Sequence, residues 1–84
     1  MISLQKIRKY LNNEIQSNGT EENVTEDEVN DLAQYIRECL ILEEEVSGEL
    51  YHNIEECDIY GLMDASDDPK MYQLWNRIQG FDED

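Results

Sequence analysis

Basic residues are scarce in this chain. Six Lys and Arg stand against 21 Asp and Glu in 84 residues, a formal charge of -15. A direct grip on nucleic acid needs a basic face that displaces counterions, and so few bases cannot build one. Attachment to an anionic membrane surface is excluded on the same ground. Long apolar runs are missing too, and none approaches the ~20 residues that span a bilayer. The opening Met1-Ile2-Ser3-Leu4-Gln5-Lys6 is too polar for a secretory segment. A cytoplasmic protein with reduced thiols is the expectation.

The residues that carry chemistry are equally sparse. His52 is the one imidazole, and no activated nucleophile accompanies it. Ser47-Gly48 lacks the G-x-S-x-G context, and Cys57 has no basic neighbour in sequence to favour its thiolate. Carboxylates are too numerous for any pair to stand out as acid and base. The expectation is a protein that is not an enzyme and takes no cofactor. No metal is expected either, because Cys39, Cys57 and His52 are too few for zinc unless carboxylates join them. Asp64-Ala65-Ser66-Asp67-Asp68 begins like a calcium loop, but Pro69 stands where Gly is required and Trp75 where the closing Glu belongs. Those aspartates read as helix caps instead. None of the serines lies in the Asp-Ser-Leu motif of an acyl carrier protein.

High charge with few apolar residues raises the question of disorder. Leu, Ile, Val and Phe make 20 of 84 residues, about 24%, above the roughly 20% below which charged chains stay unfolded. One helical domain over residues 1–84 is expected, with a thin core weakened by self-repulsion.

Helical periodicity organises most of the chain. Leu4, Ile7, Leu11 and Ile15 share one face of a helix over about 2–17, and Asn18-Gly19 stops it. Thr25-Glu26-Asp27-Glu28 forms a capping box, with Val24 and Val29 as its hydrophobic staple. Val29, Leu32, Ala33, Ile36, Cys39 and Leu40 then continue an apolar stripe in a second helix reaching about residue 45. Cys39–Glu45 could instead pair with Glu49–Ile54 as a hairpin around Val46-Ser47-Gly48. The glutamate triplet Glu43-Glu44-Glu45 favours helix. Leu50, Ile54 and Cys57 suggest a third helix ending near Asp58–Gly61. Asp67 or Asp68 caps a fourth, with Pro69 in its first turn and Gly80 at its end. Met71, Leu74, Trp75 and Ile78 form its apolar face, and Phe81 can fold back towards Trp75. Asp82-Glu83-Asp84 reads as a solvated tail. The fold class is all-α, a small bundle of three to four helices.

Charge is distributed unevenly. Residues 1–9 carry +3, whereas residues 10–69 hold 18 acidic residues against Arg37 alone. Glu28, Asp31 and Glu38 share a face of the second helix with Tyr35 between them, and Asp27 and Glu45 flank it. Glu49, Glu55, Glu56 and Asp58 do the same on the expected third helix. Carboxylates at these spacings stand about 5–6 Å apart, and the repulsion costs helix stability. Two such helices can imitate the phosphates of a nucleic-acid strand. The candidate partner-binding residues are Glu28, Asp31, Tyr35, Glu38, Glu45, Glu49, Glu55 and Glu56. Tyr35, Ile41, Leu42, Tyr51 and Tyr60 lie off the core stripes, which suits a contact site or a homodimer.

This profile resembles the small acidic inhibitors that phages make against host defence, among them DNA-mimic and anti-CRISPR proteins. The resemblance rests on the acidic block Glu14–Asp68, the short chain and the lack of catalytic residues. It implies occupation of an Arg- and Lys-lined groove of a basic nucleic-acid-binding protein, in competition with DNA or RNA. The alternatives are an immunity-type or antitoxin protein that neutralises a basic nuclease, and a dimeric structural adaptor.

Overall fold

In residues 2–81, which the computed structural model describes, regular structure is helical throughout. Four α-helices follow one another: α1 Leu4–Asn18, α2 Glu26–Ser47, α3 Ile59–Asp64 and α4 Pro69–Gln79. Single 3-10 turns at Glu21–Asn23 and Ile54–Glu56 punctuate the loops. Residues Asp82–Asp84, expected as a solvated tail, lie outside the described residues.

The helix starts follow side-chain chemistry. Ser3 Oγ accepts from the Lys6 amide at 3.2 Å and opens α1. The capping box of α2 closes both ways: Glu28 N–H donates to Thr25 Oγ1 at 3.1 Å, and Thr25 N–H to Glu28 Oε1 at 2.9 Å. Asp68 caps α4 by accepting from the Lys70 and Met71 amides, with Pro69 in the first position. A proline there costs nothing, since its missing donor would be unpaired anyway.

The third helix sits elsewhere than its apolar spacing suggests. Leu50, Ile54 and Cys57 do not share a helix; residues 48–58 are a loop with one 3-10 turn, and α3 begins at Ile59. Asp58 ends no helix but caps this one, accepting from the Gly61 amide at 3.0 Å. The loop forms because polar side chains satisfy its backbone. Glu44 accepts from the Tyr51 amide at 2.8 Å, and Glu56 from those of His52 and Asn53 at 2.9 and 3.3 Å. Local side-chain acceptors of this kind compete with helical hydrogen bonds. The hairpin is absent: α2 stays helical to Ser47, and Gly48 ends it at φ +77°. That left-handed conformation is open to glycine at no steric cost.

The core is shared by all four helices. Ile7, Leu11 and Ile15 of α1 meet Leu32, Ala33 and Ile36 of α2, and Leu74, Trp75 and Ile78 of α4 close the other side. Ile59 and Met63 complete it from α3. Trp75 is 3% exposed and takes Tyr60 as its ring partner, edge to face at 5.4 Å. Phe81 does not fold back onto it and remains 62% exposed. Glu14 accepts from Tyr10 and Tyr60 at 3.0 and 3.3 Å, tying α1 to α3. Gln79 Oε1 also lies 3.5 Å from the Tyr60 hydroxyl, and Gln79 Nε2 is buried without a partner among the described residues; exchanging the two amide atoms would let Nε2 donate to the Tyr60 oxygen, whose one proton goes to Glu14.

Two geometric features position the surface. First, α2 has 22 residues against 15 in α1, a difference of about 10 Å at 1.5 Å per residue. Burial on α2 accordingly stops at Leu40, and its last two turns overhang the bundle. Second, the loop between α1 and α2 caps the end of α4. Thr20 Oγ1 donates to the Ile78 carbonyl at 2.7 Å, Asn18 to the same oxygen, and Asn23 to that of Arg77. The Ile78 carbonyl is one of those a helix end leaves without an intrahelical partner, and that of Arg77 already accepts from the Gly80 amide. Thr20→Val should cost about 1 kcal/mol, a fall in Tm of roughly 4–8 °C for a domain of this size. A thermal melt followed by circular dichroism measures it.

Candidate partner-binding surface

The carboxylates separate into those used internally and those left free. Glu28 belongs to the first group: besides capping α2 it pairs with Arg77 at 3.1 Å. The Thr25 amide, and then Arg77, hold its carboxyl below the usual carboxylate range. Glu56 is lowered likewise by the amides of His52 and Asn53. Glu55 is exposed but sits on the α1 side, in a depression shared with Lys6 and Lys9. Glu28 and Glu55 therefore stand apart from the other candidate residues.

Asp31, Glu38 and Glu45 form a row. They are exposed on α2, and their carboxylates make no hydrogen bond or ion pair with any described residue. At 100° per residue they point opposite the buried stripe Val29–Leu40, and Asp27 joins them at the N-terminal end. Successive members of the trio are seven residues apart, a rise of about 10.5 Å, and the row from Asp27 extends about 27 Å. Such a spacing is close to one Debye length at 0.1 M salt, about 10 Å. Raising salt from a few millimolar to about 0.5 M should therefore lift the melting temperature by several degrees. A flat response in a salt-series melt would contradict this.

Beside the row runs a second apolar stripe: Tyr35, Cys39, Leu42 and Val46, at i, i+4, i+7 and i+11. Tyr35 is half-buried, and its hydroxyl shares a hydrogen bond with Ser66. Leu42 and Val46 lie on the overhang, 61% and 89% exposed. The stripe borders a furrow between α2 and α3.

The deeper part of that furrow has a volume of about 480 Å³. Leu40, Leu62 and Cys57 give it an apolar floor, while the exposed Glu43, Glu49, Glu56 and Asp58 stand around it with Ala65. Tyr51 also lines it, and no lining residue is basic. A shallower part, about 280 Å³, shares Glu43, Leu62 and Ala65 and extends to Leu42. Among the described residues no three acidic, Cys or His side chains converge closely enough to enclose a metal ion. The charges ring the furrow instead of meeting in it.

No protein-family model, curated protein or solved structure matches this chain.

The electrostatics of the furrow register on its own side chains. Burial, then Glu56, Glu43 and Glu44, push the Cys57 thiol up to about 11. Burial and the same kind of carboxylate neighbours, Glu43 and Glu49, raise Tyr51. At about pH 8 only some one in a thousand Cys57 side chains is then thiolate, the species that reacts. Alkylation of Cys57 by iodoacetamide, followed by peptide mass spectrometry, should be slow in the folded protein. Glu43→Gln should speed it severalfold, because removing a nearby negative charge lowers the thiol pKa.

Of the eight candidate residues, the fold thus brings Asp31, Glu38 and Glu45 into one row with Tyr35 beside them. Glu49 and Glu56 stand together on the furrow rim, though on a loop and not on a helix. Glu43 escapes the sequence pattern, since only the position of α3 shows which face of the Glu43–Glu45 triplet looks onto a groove. Among the described residues no helix is long and apolar enough to cross a membrane.

Proposed function

We propose that the protein is a non-catalytic inhibitor that occupies the basic nucleic-acid-binding groove of another protein, setting carboxylates where that groove receives phosphates. The row Asp27, Asp31, Glu38 and Glu45 carries this reading: exposed, without ion pairs, and in line on a rigid helix. Like a nucleic-acid strand, it presents single negative charges at regular intervals, here about 10.5 Å apart. Arginines that grip phosphate accept carboxylate in the same bidentate geometry. On this reading the protein is of the kind that phages direct at host defence, DNA-mimic and anti-CRISPR inhibitors included. Neutralisation of a basic nuclease, in the manner of an immunity protein, is the second reading. It is favoured by Leu42 and Val46, apolar and exposed beside the acidic row.

The test is capture from lysate on the immobilised full chain at low salt, with identification of what binds. A nucleic-acid-binding protein that is displaced by duplex DNA and by added salt is the expected result. Capture that persists when DNA saturates the partner's groove would count against mimicry. A single nuclease whose active site is blocked would favour the second reading. A stable dimer in sedimentation, with activity indifferent to charge reversal on α2, would point to the adaptor.

A further inference from the structure

The row on α2 explains attraction to any cationic groove, but the furrow beside it has a more selective chemistry. Its floor is apolar and its rim is acidic, with an aromatic ring, Tyr51, in the wall. A lysine can lay its stem on such a floor too, but its compact, strongly hydrated ammonium offers no planar face to the ring and no bidentate fork to the carboxylates. An apolar peptide would leave Glu43 and Glu49 facing it without compensation. An arginine satisfies both halves, with its methylenes on the floor and its planar guanidinium against carboxylate and ring.

The source of that arginine is also constrained. The chain's own arginines are engaged: Arg8 donates to Asn30 at 2.9 Å, Arg37 to the Ile2 carbonyl, and Arg77 to Glu28 and Asn23. A second copy of this chain therefore has no spare arginine to insert. The carboxylates are spread around the rim and do not converge, which suits a segment with several cationic groups better than one chelated ion.

We propose that the furrow between α2 and α3 is a receptor for arginine side chains of the partner, so that the segment bound there is arginine-rich and not merely basic. The proposal rests on the inhibitor reading above and names which cationic chemistry it selects. Leu40 and Leu62 receive the side-chain stem, and Glu43 and Glu49 receive the guanidinium. Neither carboxylate makes a hydrogen bond or ion pair with a described residue, so both are available to a partner.

The experiment is an amide NMR titration with an acetylated peptide of alternating arginine and serine, set against its lysine counterpart, at physiological salt. The arginine peptide should bind at least about tenfold tighter and shift the amides of Cys57, Gly61, Leu62 and Ala65. The double variant Glu43→Gln/Glu49→Gln should lose that preference while its melting curve shows the fold intact. Asp31→Asn/Glu38→Asn should keep it. Equal affinity for the two peptides, or shifts centred on Asp31 and Glu38, would overturn the proposal. The two readings fail separately. DNA-insensitive capture with arginine preference retained sinks mimicry alone, and DNA-sensitive capture without arginine preference sinks the furrow alone.

Discussion

Leu11→Ala should remove about half or more of the stability of the fold. Leu11 is fully buried midway along α1, within the core that joins α1 to α2 and α4. Truncating a buried leucine costs about 2–5 kcal/mol, the spread reflecting how far the site collapses. A domain of this length has only about 4–12 kcal/mol to lose, and self-repulsion places this one towards the low end. The single tryptophan, Trp75, is buried in the same core and reports the loss by its emission. Urea unfolding of Leu11→Ala beside the exposed control Gln16→Ala is the measurement. A loss below about 1 kcal/mol in the leucine variant would mean that the core repacks around the gap.

The second large effect is on binding. Reversing the row, Asp31→Lys/Glu38→Lys/Glu45→Lys, should weaken capture of the basic partner by about 1000-fold at low salt, taking about 1.5 kcal/mol for each close charge pair lost. The same variant should melt no lower than the parent, because the changed side chains bond to nothing and repulsion falls. This opposition of signs separates a binding surface from a structural one. Fully retained capture by a folded variant would remove the row from the interface.

The helices that announce themselves by periodicity are the ones whose stability is local. The stripe of α1, the Thr25–Glu28 box and the Asp68–Pro69 start were all legible, since each depends on residues within four of one another. The segment after Gly48 was not. Its order comes from Glu44 and Glu56 accepting backbone amides, and from Lys6 reaching the His52 carbonyl at 3.2 Å, contacts that apolar spacing does not encode. The same distinction governs the surface. Asp31, Glu38 and Glu45 follow from helical phase alone, and so were found. Glu28 reads in sequence as a cap that is also open to a partner, because the Arg77 that occupies its carboxylate lies 49 positions away. The furrow required knowing that α3 starts at Ile59, and no residue pattern said so.

The contacts of Thr20 and Asn18 with Ile78 bear on the order in which the molecule forms. They join positions 58 and 60 residues apart, and Leu74, Trp75 and Ile78 supply one wall of the core. Until that last helix leaves the ribosome, α1 and α2 lack this wall, and any pairing between them leaves an apolar side uncovered. Assembly is therefore completed only after synthesis has passed residue 78. On a nascent chain tethered short of that point, the acidic row and the residues of the furrow would all be present, but α3 would lack the α4 wall it packs against.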